Sequence, residues 1–272
     1  LDSFQVDALE ESIKQDPGRP LINSISMEEA SPGVLKIDAV LDAVNQHNPC
    51  YVGLCTGPKG PGATREEKLD LASQILDRAL ELYGVTPDRM FIDVNCFPLG
   101  SESIEGQNFA VETLEGIKAV KEKYPTVHTT LGVGNLTNGL AKKPYMRKVL
   151  TSVFLDEARK MGLDSAIINP NHYVFVSDID PNDYQLGLKS IMERDMDAFA
   201  ELEDIAERKT GVVVVRRTSY DDLPLEKAIC EKIKDGFKER NKGTVDYRGF
   251  TYEYADKIVL QVVEAMDNHE PL

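Results

Sequence analysis

Several short apolar runs in this chain end on an aspartate or an asparagine, and a stretch with helical periodicity follows each of them. The polar ends are Asp2, Asn23, Asp93, Asn135 and Asn169. In a parallel α/β barrel, the carboxyl ends of all strands meet at one mouth. Carboxylate and carboxamide groups gathered there would form a ring of hydrogen-bonding groups suited to a flat, nitrogen-rich ligand.

The spacing of the predicted strands favours a barrel. With the run 50–55 included, strands end at residues 23, 55, 93, 135 and 169, so the gaps are 32, 38, 42 and 34 residues. Such gaps are typical of successive βα units joined by right-handed crossovers. The strand that ends at Asp2 makes six units, whereas a closed TIM-type (β/α)8 barrel has eight. We therefore expect an α/β barrel that lacks about two N-terminal strands in this chain, rather than a doubly wound sheet with a GxGxxG motif.

Hydrophobic periodicity places the helices and strands between these ends. Thr64 and Glu67 match a capping box, and Pro144 suits the first turn of a helix. The predicted strands span 20–25, 50–55, 89–94, 127–134 and 164–168, with a loop at 56–62. The predicted helices span 5–15, 34–46, 64–83, 109–123, 144–161, 184–194 and 196–208.

The character of the sequence changes near residue 210. We expect a partial α/β barrel over 1–210, a linker over 211–224, and the start of an α-helical domain over 225–272. The last region has amphipathic patterns at 225–238 and 250–266, which predict two helices. Because the chain starts with Leu1 and stops just after the second pattern, we expect a fragment of a longer polypeptide.

Composition argues against several classes of function. The net charge is −15 and no stretch is strongly basic, so nucleic acid and anionic membrane surfaces are poor partners. No apolar run approaches the roughly 20 residues that span a bilayer, and there is no signal peptide. The four cysteines form no CxxC pair and the four histidines match no zinc spacing. We therefore expect a cytoplasmic protein with reduced thiols and no metal site.

Each polar strand end has a structural explanation beside the functional one. Asp2 and Asp93 could each accept two parallel hydrogen bonds from an amidine-like edge of a heterocycle, or each could cap the next helix. Asn23 could meet either edge of a ligand, since its amide both donates and accepts, or it could be a cap. Asn135 follows two glycines that permit close approach of a ligand, or it belongs to a simple turn. One such residue alone is more often a cap; five at one presumed mouth favour a binding site.

Three further residues are weaker candidates. Asn169 ends the last predicted strand, and His172 could act as an acid or base beside it. Lys143 lies in the loop after the strand that ends at Asn135 and could meet an anionic tail of a ligand. No Ser–His–Asp or Cys–His order points to nucleophilic catalysis.

A set of short segments in fixed order resembles a known family. The segments are 1–3 (LDS), 22–26 (INSIS), 64–68 (TREEK), 91–93 (FID), 132–140 (GVGNLTNGL), 153–155 (VFL) and 162–169 (GLDSAIIN). Together they resemble the pterin-binding methyltransferase module of cobalamin-dependent methionine synthase and of the related methyltetrahydrofolate:corrinoid methyltransferases. The segments 223–228 (LPLEKA) and 270–272 (EPL) are similar to the entry of the helical domain that caps cobalamin, which favours the methionine synthase arrangement.

This resemblance implies roles for four of the strand ends. The pterin-binding groups of the family fall on Asp2, Asn23 and Asp93, and its asparagine near pterin N5 falls on Asn135. Many relatives have serine where this chain has Gly134. The implied reaction, within methionine synthesis, transfers the N5 methyl group of the substrate 5-methyltetrahydrofolate to cob(I)alamin. A cobalamin-binding domain of the same polypeptide would carry the corrinoid, and zinc would belong only to an absent homocysteine domain.

Three alternatives stay open at this point. A methyltetrahydrofolate:corrinoid methyltransferase of one-carbon metabolism would use the same site. Dihydropteroate synthase also combines an α/β barrel with a pterin, but its Ser-Arg-Lys-type segment is replaced by Gly134, Asn135 and Leu136 here. A binding-only module would hold the pterin without turnover.

Overall fold

A computed structural model describes residues 1–101, 107–210, 243–247 and 250–254 of the chain. The chain divides into two compact units, Leu1–Gly211 and Val212–Leu272. The helices are α1 (Val6–Ile13), α2 (Lys36–Val44), α3 (Arg65–Tyr83), α4 (Phe109–Lys123), α5 (Pro144–Lys160), α6 (Pro181–Met192) and α7 (Met196–Thr210). The strands are β1 (Leu21–Ile25), β2 (Glu29–Ser31), β3 (Val34–Leu35), β4 (Cys50–Leu54), β5 (Thr56–Gly57), β6 (Gly60–Pro61), β7 (Met90–Asp93), β8 (His128–Thr130), β9 (Gly243–Tyr247) and β10 (Phe250–Tyr254). None of the described helices is both long enough and apolar enough to cross a membrane.

Four parallel strands form the central sheet of the first unit, in the order β1–β4–β7–β8. Isolated parallel bridges extend this order at both sides, from Asp2 to Asn23 and from Gly132 to Ile167. Six segments therefore lie side by side in the order in which they occur along the chain. The predicted α/β class with a parallel sheet is confirmed. The sequential order without reversal is that of a βα barrel rather than of a doubly wound sheet, and closure of the barrel stays a prediction.

The sheet is buried on both of its faces. Tyr51, Val52 and Gly53 of β4 are consecutive and all buried, although successive side chains of a strand point to opposite faces. A Cβ atom at Gly53 would lie 2.9 Å from the Ile92 side chain and 3.0 Å from that of Ile75. Glycine at this position therefore lets α3 and β7 approach β4 closely.

Helix α3 begins with the capping box that the sequence predicts. The Thr64 hydroxyl accepts a hydrogen bond from the Glu67 N–H at 3.2 Å, and the Glu67 carboxylate accepts one from the Thr64 N–H at 3.2 Å. The helix ends at Gly84, whose φ of 64° is accessible to glycine at little cost. Both ends of the longest described helix thus follow from local sequence.

The N-terminal end of the predicted helix 34–46 differs in the structure. Val34–Leu35 pair with Glu29–Ser31 as an antiparallel hairpin, and α2 begins only at Lys36. Pro32 and Gly33 lie between the two strands, and Gly33 has a φ of 79°. Such a Pro-Gly turn favours a hairpin over continuation of a helix. The predicted loop 56–62 likewise contains a small hairpin, made of β5 and β6.

The last two predicted strands are shorter than expected. Strand β8 ends at Thr130, and Val133–Thr137 form a 3-10 helix, so the predicted strand 127–134 is wrong in its second half. Two glycines in the run 132–134 weaken the strand preference there. The predicted strand 164–168 contributes only the bridge at Ile167, a residue that is half exposed.

The second unit contains an antiparallel pair of strands, β9 and β10. The predicted helix 250–266 is therefore wrong over 250–254. Phe250, Tyr252 and Tyr254 alternate with Thr251 and Glu253, and this period of two favours a strand. The predicted linker 211–224 and the predicted helix 225–238 lie outside the described residues.

We expect the capping box to contribute measurably to stability. Thr64→Ala leaves the Glu67 N–H without its acceptor and should lower the free energy of unfolding by about 1 kcal/mol. Thr126→Ala is the matched control, because Thr126 is an exposed turn residue whose hydroxyl has no partner within the described residues. Urea unfolding of both variants would measure the difference, and equal stabilities would contradict the prediction.

Candidate functional site

Asp93, the last residue of β7, is the most firmly held of the predicted site residues. Its Oδ1 accepts a hydrogen bond from the Asn95 N–H at 2.8 Å, and its Oδ2 accepts one from the Gly132 N–H at 3.1 Å. Asp93 is buried, with only 7% of its surface exposed. Burial raises the pKa of Asp93 to about 6, while the two N–H donors act in the opposite direction. The result is a fixed carboxyl group whose charge can change near neutral pH.

Asn95 connects the ends of two neighbouring strands. Its backbone has a φ of 62°, a left-handed conformation that asparagine tolerates better than most residues. Its side-chain amide donates to the Cys55 carbonyl at 2.6 Å and to the Thr56 hydroxyl at 3.2 Å. Asn95 therefore ties the loop that carries Asp93 to the end of β4.

Asp2 and Asn23 are in direct contact. The Asn23 side-chain amide donates to Asp2 Oδ2 at 3.3 Å, and the two residues also form a parallel backbone bridge. The main chain continues this pairing, with the Asn23 N–H donating to the Leu1 carbonyl at 2.8 Å. The peptide bond between Asn23 and Ser24 is cis. Strand β1 continues for two residues beyond Asn23, to Ile25, so the prediction that the strand ends at Asn23 is wrong.

A lysine that the sequence reasoning missed lies beside this pair. Lys36, at the start of α2, is 9% exposed, and its ammonium group donates to the Ser24 hydroxyl at 3.3 Å. Burial lowers the pKa of Lys36, and the carboxylates of Glu28 and Asp2 oppose that change. A signal was present in the sequence, because Lys36 lies four residues before the buried Val40 on the apolar face of α2.

Asn135 lies in the 3-10 helix Val133–Thr137 rather than at the end of a strand. Its side chain is exposed, and Oδ1 accepts a weak hydrogen bond from the Asn138 amide at 3.4 Å. Its N–H donates to the Gly132 carbonyl at 3.4 Å. The Gly132 N–H also donates to Asp93 Oδ2, so Gly132 connects Asn135 to the buried carboxylate.

The four predicted pterin residues thus fall into two pairs, one at the middle of β1, where Asn23 lies, and one at the carboxyl end of β7, where Asp93 lies. Asp2 contacts Asn23, and Asp93 is linked to Asn135 through Gly132. Strand β4 lies between the pairs, because it pairs with β1 on one side and with β7 on the other. Among the described residues, no three His, Cys, Asp or Glu side chains are grouped so that they could hold a metal ion.

The weaker candidates have other contacts. The Asn169 Oδ1 atom accepts a hydrogen bond from the Asn171 N–H at 3.0 Å and so caps the 3-10 helix Pro170–His172. Lys143 forms a salt bridge with Glu203 of α7. His172 has a ring nitrogen 3.4 Å from the Arg147 guanidinium, and partial burial lowers the pKa of His172.

A surface cleft lies elsewhere on the first unit. It is lined by residues of α5 and of the segment 163–177, among them Arg159, Asp164 and Phe175. None of the candidate residues Asp2, Asn23, Asp93 or Asn135 contributes to it.

The arrangement at the edge can recognise paired N–H donors. Each oxygen of Asp93 accepts one main-chain N–H and keeps further lone-pair capacity, since a carboxylate has about four acceptor sites. Two parallel hydrogen bonds from one ligand edge to one carboxylate combine strength with fixed orientation. The exposed amide of Asn135 adds a group that both donates and accepts.

Comparison with known proteins identifies the family to which the chain belongs. Residues 1–169 match the sequence model of a family described as "Pterin binding enzyme". The methionine synthase of Mycobacterium leprae (strain TN) is 29% identical over 251 residues, which cover 90% of this chain and 20% of the relative. The methionine synthase of Mycobacterium tuberculosis (strain ATCC 25618 / H37Rv) is 28% identical over 246 residues, 89% of this chain and 20% of the relative. The chain therefore spans about a fifth of the length of these relatives. Because the family model covers residues 1–169 of 272, this chain belongs to the pterin-binding enzymes.

Proposed function

We propose that this chain binds 5-methyltetrahydrofolate at the carboxyl edge of its sheet and takes part, within a longer polypeptide, in transfer of the N5 methyl group to cob(I)alamin. This is the methyltransferase step of a cobalamin-dependent methionine synthesis. The proposal rests on the buried Asp93 carboxylate, which two main-chain N–H groups hold in place. The chain that carries it belongs to a pterin-binding family. Similarity to two methionine synthases over about nine-tenths of the chain supports the choice of reaction.

Recognition of the pterin rests on the two pairs of polar residues. A pterin ring carries neighbouring N–H groups, and the Asp93 carboxylate can accept two of them in parallel. Asp2 and Asn23, on the other side of β4, would bind another part of the same flat ring. Fixing the ring from two sides would orient the N5 methyl group for in-line displacement, which is catalysis by positioning.

The chemical difficulty lies at N5. A tertiary amine is a poor leaving group, so N5 must gain positive charge, by protonation, before or during the displacement. The Asn135 side chain would hydrogen-bond to N5 and stabilise that charge as it develops. When bound, cob(I)alamin supplies the nucleophile, so no covalent intermediate on this chain is needed. The corrinoid would be carried by another domain of the polypeptide.

The proposal extends to domain organisation. The chain-order pairing of six parallel segments supports residues 1–210 as a partial pterin-binding α/β barrel that lacks about two strands. Residues 211–224 would be the linker and 225–272 the start of the region that covers cobalamin, with the β9–β10 pair in place of helix at 250–254.

The reaction can be tested with the intact parent polypeptide. Mixed with cob(I)alamin and 5-methyltetrahydrofolate, it should form methylcobalamin, which is followed by its absorbance. Pterin binding without methyl transfer would replace the proposal by the binding-only alternative. Condensation of a pterin pyrophosphate with p-aminobenzoate would instead identify dihydropteroate synthase.

We expect pterin affinity to depend on the charge of Asp93. Below its pKa of about 6, a proton occupies the carboxyl group, so the affinity should rise as the pH increases through about 6 and then level off. Asp93→Asn should remove this dependence and cost about 2 kcal/mol of binding free energy, because one acceptor becomes a donor. Calorimetric titration of 5-methyltetrahydrofolate between acidic and neutral pH would measure both effects.

Asp88→Asn is the matched control for that experiment. Asp88 is exposed and lies just before β7, at the opposite end of the same strand. Its replacement should leave both the affinity and its pH dependence unchanged. A wild-type affinity that does not vary with pH would contradict the role given to Asp93.

We expect Asn135 to affect the rate more than the affinity. Asn135→Ala should slow methyl transfer on the order of 100-fold, the size seen when one donor to a developing charge is removed. Binding of 5-methyltetrahydrofolate should weaken much less. Single-turnover kinetics and titration of the same variant separate the two quantities, with the exposed Asn182→Ala as control. Equal losses of rate and affinity would show that Asn135 only binds.

A further inference from the structure

The least expected side chain in the first unit is a lysine inside the core. Lys68 is fully buried, and it lies on the same stripe of α3 as Ala72, Ile75, Leu76 and Ala79. An apolar residue would be normal on such a stripe, because burying an ammonium group is costly unless hydrogen bonds compensate. A specific set of partners is therefore needed to explain it.

Those partners belong to the loop that follows Asp93. The Lys68 ammonium group donates to the Val94 carbonyl at 2.6 Å and to the Asn95 carbonyl at 3.1 Å. The Phe97 ring covers it, with the ring centre 4.9 Å from Nζ. Within the described residues Lys68 forms no salt bridge, so its hydrogen bonds go to main-chain carbonyls.

The neighbouring helix is shaped to admit this side chain. A Cβ atom at Gly116 of α4 would lie 2.8 Å from Cδ of Lys68. Thr113 of the same helix donates from its hydroxyl to the Asn95 carbonyl at 3.0 Å. Lys68 of α3 and Thr113 of α4 thus both donate to the Asn95 carbonyl. The absence of a side chain at Gly116 leaves room for the aliphatic part of Lys68.

The loop residue bound in this way also holds the site carboxylate. Asn95 donates its N–H to Asp93 Oδ1 at 2.8 Å, and Lys68 binds the carbonyl of the same residue. From these contacts we infer that Lys68 is a positioning residue, whose buried ammonium group fixes the loop at 94–95 and through it the Asp93 carboxylate. The consequence for ligand binding rests on the proposed function, whereas the effect on Asp93 itself does not.

Charge supports the same assignment. Lys68 favours the ionised form of Asp93, against the burial that raises the pKa of that carboxyl to about 6. Burial in turn lowers the pKa of Lys68 to about 8. The titratable groups around Lys68 are Asp93, Cys55, Cys96 and Glu112. Loss of the lysine charge should therefore make Asp93 harder to ionise.

The test replaces the lysine by a residue of similar length without charge. In the full 272-residue chain, Lys68→Met should raise the pKa of Asp93 by about one unit, measured from the ¹³C chemical shift of its carboxyl group. It should also weaken 5-methyltetrahydrofolate binding about tenfold at neutral pH. Lys118→Met, at an exposed position of α4, is the matched control and should change neither quantity.

A second variant keeps the test decisive if Lys68→Met does not fold. Gly116→Ala retains the charge but displaces the lysine stem, while alanine is a better helix former than glycine. We expect a smaller change of the Asp93 titration in the same direction. If a variant folds and its Asp93 titration is unchanged, the inference is overturned, because replacing a lysine with a purely structural role would change stability alone. If wild-type protein binds no pterin, the proposed function fails, and the Asp93 titration still decides the role of Lys68.

Discussion

Two main-chain hydrogen bonds to Asp93 determine the geometry of the carboxyl edge. One bond comes from Asn95, two residues further along the chain, and the other comes from Gly132, beyond the next strand. Together they connect the end of β7 to the turn after β8, where no regular strand pairing continues. A buried carboxylate that lost either donor would be strongly destabilised, so the loop conformations and the site residue depend on each other.

The fold could be predicted where local sequence and tertiary packing demand the same structure. The capping residues Thr64 and Glu67 and the terminal Gly84 mark the limits of α3 without help from the rest of the chain. Prediction failed where apolar residues continued beyond the end of an element. Leu131 and Val133 are fully buried, yet Leu131 lies just after the last residue of β8, Thr130, and Val133 begins a 3-10 helix. Burial alone does not distinguish these from a strand, because the period of two is interrupted by Gly132 and Gly134.

The polar residues of the candidate site could be selected from the sequence, but the buried lysines that lie beside them could not. Asp2, Asn23 and Asp93 are recognisable because polar residues interrupt apolar runs at regular spacing. Lys36 and Lys68 are buried, although lysine on a helix normally extends into water. Their places on apolar stripes were visible in the sequence. What they bind was not, because the carbonyl and hydroxyl acceptors come from segments 12 to 27 residues away.

Gly132 links recognition of the ring to the chemistry proposed at N5. Its N–H group binds the Asp93 carboxylate, and its carbonyl accepts the N–H of Asn135. A ligand held by Asp93 would therefore be placed relative to Asn135 through one residue rather than through a flexible loop. Since a misplacement of about 1 Å can cost two orders of magnitude in rate, a short connection of this kind favours in-line transfer. The exposed position of Asn135 is consistent with this role, because its amide must approach a ligand from outside the sheet.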